Sequence, residues 1–277
     1  MRIFCNFRTL LPVVLTMVST PVLAQEYVGP QISTLGTATA ECFYNAEGEF
    51  VLNGDFDTQA SVCFRNTYEP GTSVIRINSR GGQNAIGLSL AHMLKDENFH
   101  LIIEGRCNSA CAQYIIPLAK ELTLRDGAGV VIHGVMSDYH LSKPFEKIFI
   151  NREVKMGKSH KEAQIEYNNF KKYAKIQIAT AEKFRIENNV GRGWFMQQGT
   201  WSESADGMPV SVIDVEWLKN KPTNGLLIDQ KFLETCLPDV KINKFIGPSN
   251  PKSVGFPGYA NRIENAGVIA LPEAHCI

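Results

Sequence analysis

Three features in the middle of the chain have the residue types and order needed for acyl-transfer chemistry. Ser109 stands at the predicted start of a helix, His133 at the end of a later predicted strand, and Gly81–Gly82 just after an earlier strand. A hydroxyl beside an imidazole forms a nucleophile–base pair. Adjacent glycines let the backbone bend and expose N–H groups that can hold a developing oxyanion. The combination predicts a serine hydrolase.

Each feature also has a structural explanation. A serine that opens a helix is most often an N-cap, two glycines after a strand usually form only a turn, and a histidine at a strand end is usually structural. Their order along the chain favours chemistry, because active sites of open α/β sheets lie along the edge where the strands end.

Strands and helices alternate around these residues. Runs of β-branched and apolar residues predict strands at 73–79 and 99–105, and two more within 121–134. Apolar residues at helical spacing predict helices over 83–97 and from Ser109 onwards. This alternation is typical of an α/β fold with a mainly parallel sheet.

The chain divides into four segments by composition. Residues 1–24 combine a basic start, an apolar run and small residues before Gln25, which predicts a signal peptide cleaved after Ala24; an uncleaved anchor is the alternative. We therefore expect a secreted or periplasmic protein. The remaining segments are a strand-rich N-terminal extension at 25–70, a core at 71–220, and a Pro-, Gly- and Asn-rich C-terminal appendage at 221–277.

The cysteines fit an oxidising compartment. Seven are present, and cleavage after Ala24 would leave an even set of six, which allows fifteen disulfide connectivities. A zinc site is the rival explanation, but no Cys-x-x-Cys pair or clustered histidines accompany them. We expect no metal site and no cofactor. Proximity favours the pairs Cys42–Cys63, Cys107–Cys111 and Cys236–Cys276.

Charge and hydropathy limit the partners. The 28 basic and 28 acidic residues balance, so nothing indicates nucleic acid binding, and no later segment is long and apolar enough to predict stable membrane insertion. The segment 153–189 is predicted to form one or two long amphipathic helices. Its apolar face is a possible contact in a homo-oligomer, and a monomer is the alternative. The expected partner at the site is a peptide or protein substrate.

The motifs INSRGG, GRCNSACA and GVVIHG, in this order, resemble the proteolytic subunit of the Clp protease and, more broadly, the Clp/crotonase superfamily. Within that group the chain most resembles exported, periplasmic Clp-like bacterial proteins. The resemblance is clear over 74–134 and faint as far as Trp217. It implies a core of repeated β-β-α units with a mainly parallel sheet, a long helix after the histidine strand, and disulfide-pinned terminal extensions.

The resemblance also implies roles for individual residues. Ser109 would be the nucleophile and His133 its general base. The backbone amides of Gly82 and Ala110 would form the oxyanion hole, and Gly81 would bind substrate.

Cys107 and Cys111 depart from the family pattern. A disulfide between them would hold the turn at Ser109 rigidly; a redox-sensitive pair of free thiols is the alternative.

The third member of a catalytic triad is not evident. The family's aspartate would fall near Gln197 and Gln198, which cannot be anionic, while Asp214 matches a trailing, non-catalytic aspartate. Asp206 and Glu203 are the nearest acids, and we predict Asp206. A Ser–His dyad is the alternative.

These features are consistent with two functions of different classes, an enzyme and a binding protein. The first is an exported serine hydrolase, in particular a peptidase. The second is a catalytically silent Clp-like protein that binds peptides or acts as a scaffold, which the missing acid favours and the intact serine, histidine and glycines oppose. Crotonase-like coenzyme A chemistry fits the fold but not an exported, disulfide-bearing setting.

Overall fold

The computed structural model describes residues 40–132, 136–195, 199–203, 209–213 and 226–247. The first half of this chain contains β1 (Glu41–Tyr44), β2 (Phe50–Asn53), α1 (Thr58–Thr67), β3 (Val74–Ser79), α2 (Asn84–Leu94), β4 (His100–Asn108), α3 (Ala110–Tyr114), β5 (Glu121–Leu124) and β6 (Gly129–Ile132). The second half contains α4 (Lys143–Lys155), α5 (His160–Glu187), α6 (Arg192–Phe195), β7 (Gly199–Glu203), β8 (Pro209–Ile213), β9 (Leu226–Leu227), α7 (Gln230–Cys236) and β10 (Lys241–Lys244). Short 3-10 turns span Ile116–Leu118 and Asp138–Leu141.

An eight-stranded, mainly parallel sheet organises the fold. Its strands follow the order β1-β2-β3-β4-β5-β10, with β6 pairing β4 and β9 off this path. Only the β1–β2 and β6–β9 pairs in it are antiparallel. With the long helix α5 after the histidine strand, the predicted α/β class with a mainly parallel sheet is confirmed. β7 and β8 form a separate antiparallel pair.

Besides β3, strand β4 pairs with two different strands along its length, first with β5 and then with β6. Its first half, His100–Ile103, pairs with β5, while its last residues, Arg106–Asn108, pair with β6. The turn at Asp126–Gly127 lets the chain leave β5 and return beside the end of β4, with Gly127 at a φ of +81°. This division brings β6, the strand before His133, next to the residues that precede Ser109.

One face of the sheet packs into the main core. Along β3, Ile75 and Ile77 are buried against the helices, whereas Arg76 and Asn78 point to the opposite face, as the two-residue period of a strand requires. On that polar face, Arg76 makes ion pairs with Glu49 and Glu104.

Helices α4 and α5 form a hairpin with a core of its own. Gly157, at a φ of +95°, turns the chain between them, and Ser159 opens α5 with a capping box. The segment predicted as one or two helices is therefore two, and α4 begins earlier than expected. Near its end, α5 rejoins the main core, where Phe184 meets Tyr114 edge to face at 5.4 Å. The hairpin core consists of Phe145, Phe149, Ile150, Ala163 and Tyr167.

Two described segments differ from their predicted local structure. The 25–70 segment, expected to be strand-rich, also contains α1, which Asp57 caps by accepting from the Ala60 N–H at 2.9 Å. The described part of the predicted appendage, 226–247, adds β9 and β10 to the sheet and packs α7 into the main core. Its apolar residues Phe232 and Leu233 are three and four positions after the cap Asp229, so they face the core together.

Two disulfides join cysteines that the sequence pairs by proximity. Cys42–Cys63 links β1 to α1 with a Cα–Cα distance of 5.6 Å, and Cys107–Cys111 links β4 to α3 with a distance of 5.2 Å. Both distances lie in the normal range for a disulfide. Of the third predicted pair, Cys236 is buried at the end of α7, and Cys276 lies outside the described residues.

No helix among the described residues has both the length and the apolarity to cross a membrane. No three or more of their His, Cys, Asp or Glu side chains converge in a way that could hold a metal ion.

Candidate active site

Ser109 occupies a sharp strand-to-helix turn, which we call the serine elbow (residues 108–110). Its φ of +53° and ψ of −125° form a combination that non-glycine residues rarely adopt. Such a conformation persists only where the surrounding structure enforces it, and such residues cluster at active sites. A serine at a strained strand-to-helix turn is also the arrangement of the nucleophile in serine hydrolases of another fold.

Ser109 does not act as the helix cap that a structural explanation would require. It holds the N-cap position of α3, yet within the described chain its side chain makes no capping hydrogen bond. By contrast, the hydroxyl oxygens of Ser142 and Ser159 accept from backbone N–H groups three residues on, at 3.4 Å and 3.3 Å. The strained backbone of Ser109 is thus not explained by helix capping.

The glycine turn (residues 80–83) lies directly against the serine elbow. A Cβ atom on Gly81 would lie 2.2 Å from the Asn108 carbonyl oxygen, 2.7 Å from the Ser109 Cβ and 2.9 Å from the Ala110 nitrogen. Gly81 also has a φ of +84°. Only glycine fits here, and its presence brings the two loops into direct contact.

Two backbone amides near the serine elbow donate to no other described residue. Among the described residues, no group accepts from the N–H of Gly82 or of Ala110. The Ala110 N–H is the first of α3, and the first N–H groups of a helix have no partner within it. These two amides are those predicted to form the oxyanion hole.

Gly81, predicted to bind substrate, has its polar groups engaged within the protein. Its N–H donates to the Ser79 hydroxyl at 3.0 Å, and its carbonyl accepts from the Phe56 N–H at 2.7 Å. Only the second lone pair of this carbonyl is left for a substrate.

The serine elbow also holds the strand that leads to His133. The Ser109 N–H donates to the Val131 carbonyl at 2.8 Å, and the Val131 N–H donates to the Asn108 side-chain oxygen at 3.0 Å. Both polar groups of Val131 are therefore fixed by the elbow. β6 ends at Ile132, and His133 is the next residue, outside the described part of the chain.

The residues considered for the third catalytic position lie between 197 and 214. Asp206, Asp214, Gln197 and Gln198 lie outside the described residues. Glu203 is the last residue of β7, and its side chain is not described.

Helix packing sets the position of α3 behind the elbow. A Cβ on Gly87 of α2 would lie 2.8 Å from the Tyr114 ring and 3.1 Å from the Ala110 Cβ, so the helices meet at the closest approach that glycine permits. Burial raises the pKa of Tyr114. This phenol is therefore uncharged at neutral pH.

Sequence analysis missed two polar residues that shape the site. Ser79 and Asn108 are both buried and hydrogen-bond to Gly81 and Val131, respectively. Their only signal in the sequence is that each is a polar residue at the last position of its strand, Ser79 of β3 and Asn108 of β4. A buried polar group needs a partner, and here the partner is a neighbouring loop or strand.

Comparison with solved structures gives a partial similarity of fold. No family model and no curated protein matches the chain. Among solved structures, the chain is similar to a point mutant of ClpP1 from Listeria monocytogenes, with 17% identity and a TM-score of 0.26 over 41% of this chain and 74% of that one. This similarity concerns the course of the backbone and says nothing of activity.

Proposed function

We propose that this protein is a serine hydrolase, in particular a peptidase, in which Ser109 is the nucleophile and His133 the general base. The observation that carries the proposal is the strained backbone of Ser109 beside two backbone amides, at Gly82 and Ala110, that have no acceptor in the described chain. A nucleophile held next to preorganised N–H donors is the arrangement that acyl transfer requires.

The chemistry proceeds in two steps. The Ser109 oxygen attacks the substrate carbonyl carbon while its proton passes to His133, and the oxyanion accepts hydrogen bonds from the Gly82 and Ala110 amides. The leaving amine departs with the proton from His133. Water then attacks the acyl-enzyme, giving its proton to His133, which returns it to Ser109 as the acid leaves.

Three finer parts of the proposal rest on the sequence. The choice of a peptide bond comes from the resemblance of the INSRGG, GRCNSACA and GVVIHG motifs to the Clp proteolytic subunit. The location outside the cytoplasm comes from the signal-peptide pattern before Gln25 and is consistent with the two disulfides. Asp206 is proposed to orient His133.

A fluorophosphonate probe tests the proposal, because it phosphonylates only an activated serine. We expect the oxidised protein to be labelled, and Ser109→Ala and His133→Ala to abolish labelling. Ser159→Ala is the matched control: it removes a serine that does cap a helix, so it should cost about 1 kcal/mol of stability and leave labelling unchanged. Asp206→Asn should slow labelling.

The result that contradicts the proposal is a folded protein with intact disulfides that the probe does not label, or whose labelling survives Ser109→Ala. The first outcome would favour a catalytically silent peptide-binding protein.

A further inference from the structure

An ion pair fixes the start of the glycine turn. The Arg80 Nε donates to both carboxylate oxygens of Asp55 at 3.0 Å, and its Nη2 also donates to Oδ2. The Arg80 backbone N–H donates to the Asp55 Oδ1 at 3.3 Å. The two side chains are only 17% and 18% exposed, and this pairing raises the pKa of Arg80.

The next residue, Phe56, holds the turn through its backbone. Its N–H donates to the Gly81 carbonyl at 2.7 Å, and its carbonyl accepts from the Gln83 N–H at 2.8 Å. A Cβ on Gly82 would lie 2.4 Å from the same Phe56 carbonyl oxygen. Residues 55 and 56 therefore contact every residue of the glycine turn.

These contacts fix the direction of one amide. The described chain has no cis peptide bond, and in a trans peptide the C=O and the following N–H point in opposite directions. Because the Gly81 carbonyl points at Phe56, the Gly82 N–H points away from it. A Cβ on Gly81 would lie 2.7 Å from the Ser109 Cβ and 2.9 Å from the Ala110 nitrogen, so the same turn lies against the serine elbow.

We propose that Asp55 is a positioning residue for the oxyanion hole, an inference that rests on the proposed function. Gly81 and Gly82 have φ values of +84° and +146°. Because glycine has no Cβ, two consecutive glycines give the turn more conformational freedom than any other pair of residue types would. The Asp55–Arg80 pair removes that freedom at the first residue of the turn, and Phe56 then sets the direction of the Gly82 N–H. Asp55 acts on the reaction only through this amide.

The structure supplies a matched control in a second ion pair. Arg76 and Glu49 also join β3 to the β2 side of the sheet, through two hydrogen bonds, and their side chains are 16% and 17% exposed. Glu49→Gln removes one charge from that pair, as Asp55→Asn does from the other. Arg76 does not touch the glycine turn and keeps Glu104 as a second partner, so Glu49→Gln reports the effect of weakening such a pair without moving the oxyanion hole.

The test compares second-order labelling rates with a fluorophosphonate probe at matched fractions of folded protein. Asp55→Asn should slow labelling by about 10- to 100-fold, less than the complete loss of a donor would, because the amide is misdirected rather than removed. Arg80→Lys keeps the positive charge but loses the bidentate pairing, and should slow labelling by a smaller factor. Asp55→Glu should recover most of the rate, and Glu49→Gln should stay within about twofold of wild type.

A second readout does not depend on labelling. Hydrogen exchange of the backbone amides at 80–83 should be faster in Asp55→Asn than in Glu49→Gln. Two results would overturn the positioning role: equal hydrogen exchange at 80–83 in the two variants, or equal labelling rates of the two variants. If wild type is labelled, either result leaves the proposed function standing. Wild type that is folded but not labelled refutes the proposed function, and this inference with it.

Discussion

Ser109 and Gly81 depend on each other at the residue scale. The elbow can hold its strained φ and ψ because Gly81 offers no side chain where the Asn108 carbonyl and the Ser109 Cβ must lie. Strain of this kind costs about 1–3 kcal/mol and has to be offset by the surrounding contacts. Here the offsetting contacts include the hydrogen bonds from the elbow to Val131.

Gly81→Ala tests this dependence. We expect the added methyl group to displace the serine elbow and to reduce the labelling rate by about 100-fold or more, comparable to loss of an oxyanion-hole donor. Gly127→Ala is the control, because Gly127 has nearly the same φ, +81° against +84°, but open space around its Cβ position. Each substitution should cost about 1–2 kcal/mol from φ alone, measured by chemical denaturation.

Only Gly81→Ala should then lose labelling. Equal labelling rates for the two alanine variants would show that contact between the glycine turn and the elbow does not position the nucleophile.

At this scale the sequence predicts the candidate reactive residues but not the residues that hold them in place. Ser109, Gly82 and Ala110 belong to short motifs whose chemistry can be inferred from the order of residues. Asp55 and Phe56 act through contacts with residues far along the chain, and the pairing of β2 with β3 that creates those contacts leaves no local pattern.

At the scale of elements, we expect the Cys42–Cys63 disulfide to contribute more to stability and the Cys107–Cys111 disulfide to contribute more to activity. They span 21 and 4 residues, so a chain-entropy estimate gives roughly 3 kcal/mol for Cys42–Cys63 and roughly 2 kcal/mol for Cys107–Cys111. Cys107 and Cys111 flank Ser109, however, and join the strand to the helix on either side of it. We expect the double alanine variant of Cys107 and Cys111 to lose more labelling than that of Cys42 and Cys63. The variant of Cys42 and Cys63 should lose more stability.

Denaturation curves and labelling rates of the two double variants check this prediction. If the Cys107 and Cys111 double variant is labelled at the wild-type rate, the disulfide does not contribute to positioning Ser109.

The α4–α5 hairpin should weaken as the pH falls. His140 is buried against Phe145 and Phe170, and its Nδ1 accepts from the Ser137 N–H at 3.0 Å. Burial lowers the pKa of His140, an effect opposed by the Ser137 backbone. The folded state therefore favours the neutral ring, and the associated stability is complete above the unfolded pKa of about 6.5 and is lost as the pH falls below it.

His140→Asn isolates this contribution, because the asparagine Oδ1 can accept from Ser137 but does not titrate. Between pH 7.5 and pH 5, the melting temperature of wild type should fall further than that of His140→Asn. Equal decreases would show that protonation of His140 is not linked to unfolding.

Periodicity predicts elements well where a helix or strand has one clear apolar face. The strand at 73–79, the helix at 83–97 and the helical character of 153–189 follow from it. α1 and α7 were not predicted, because they are short and their apolar residues pack only once distant strands are in place. Their capping aspartates, Asp57 and Asp229, were the available signals.

At the scale of the whole molecule, the long helix leaves large apolar side chains on the surface. Ile165, Ile176 and Ile186 of α5 are 52%, 63% and 64% exposed in the single chain. Single exposed apolar residues are common in monomers. Assembly through the 153–189 segment thus remains a prediction, as does the division of the chain into a core with two terminal segments.

The central claim is that Ser109 is an activated nucleophile, and the mass of the intact, oxidised protein after reaction with a fluorophosphonate tests it most directly. We expect one adduct per chain, located on Ser109 by fragmentation of the peptide that contains it. No adduct on a folded protein with both disulfides formed, or an adduct on another residue, would contradict it.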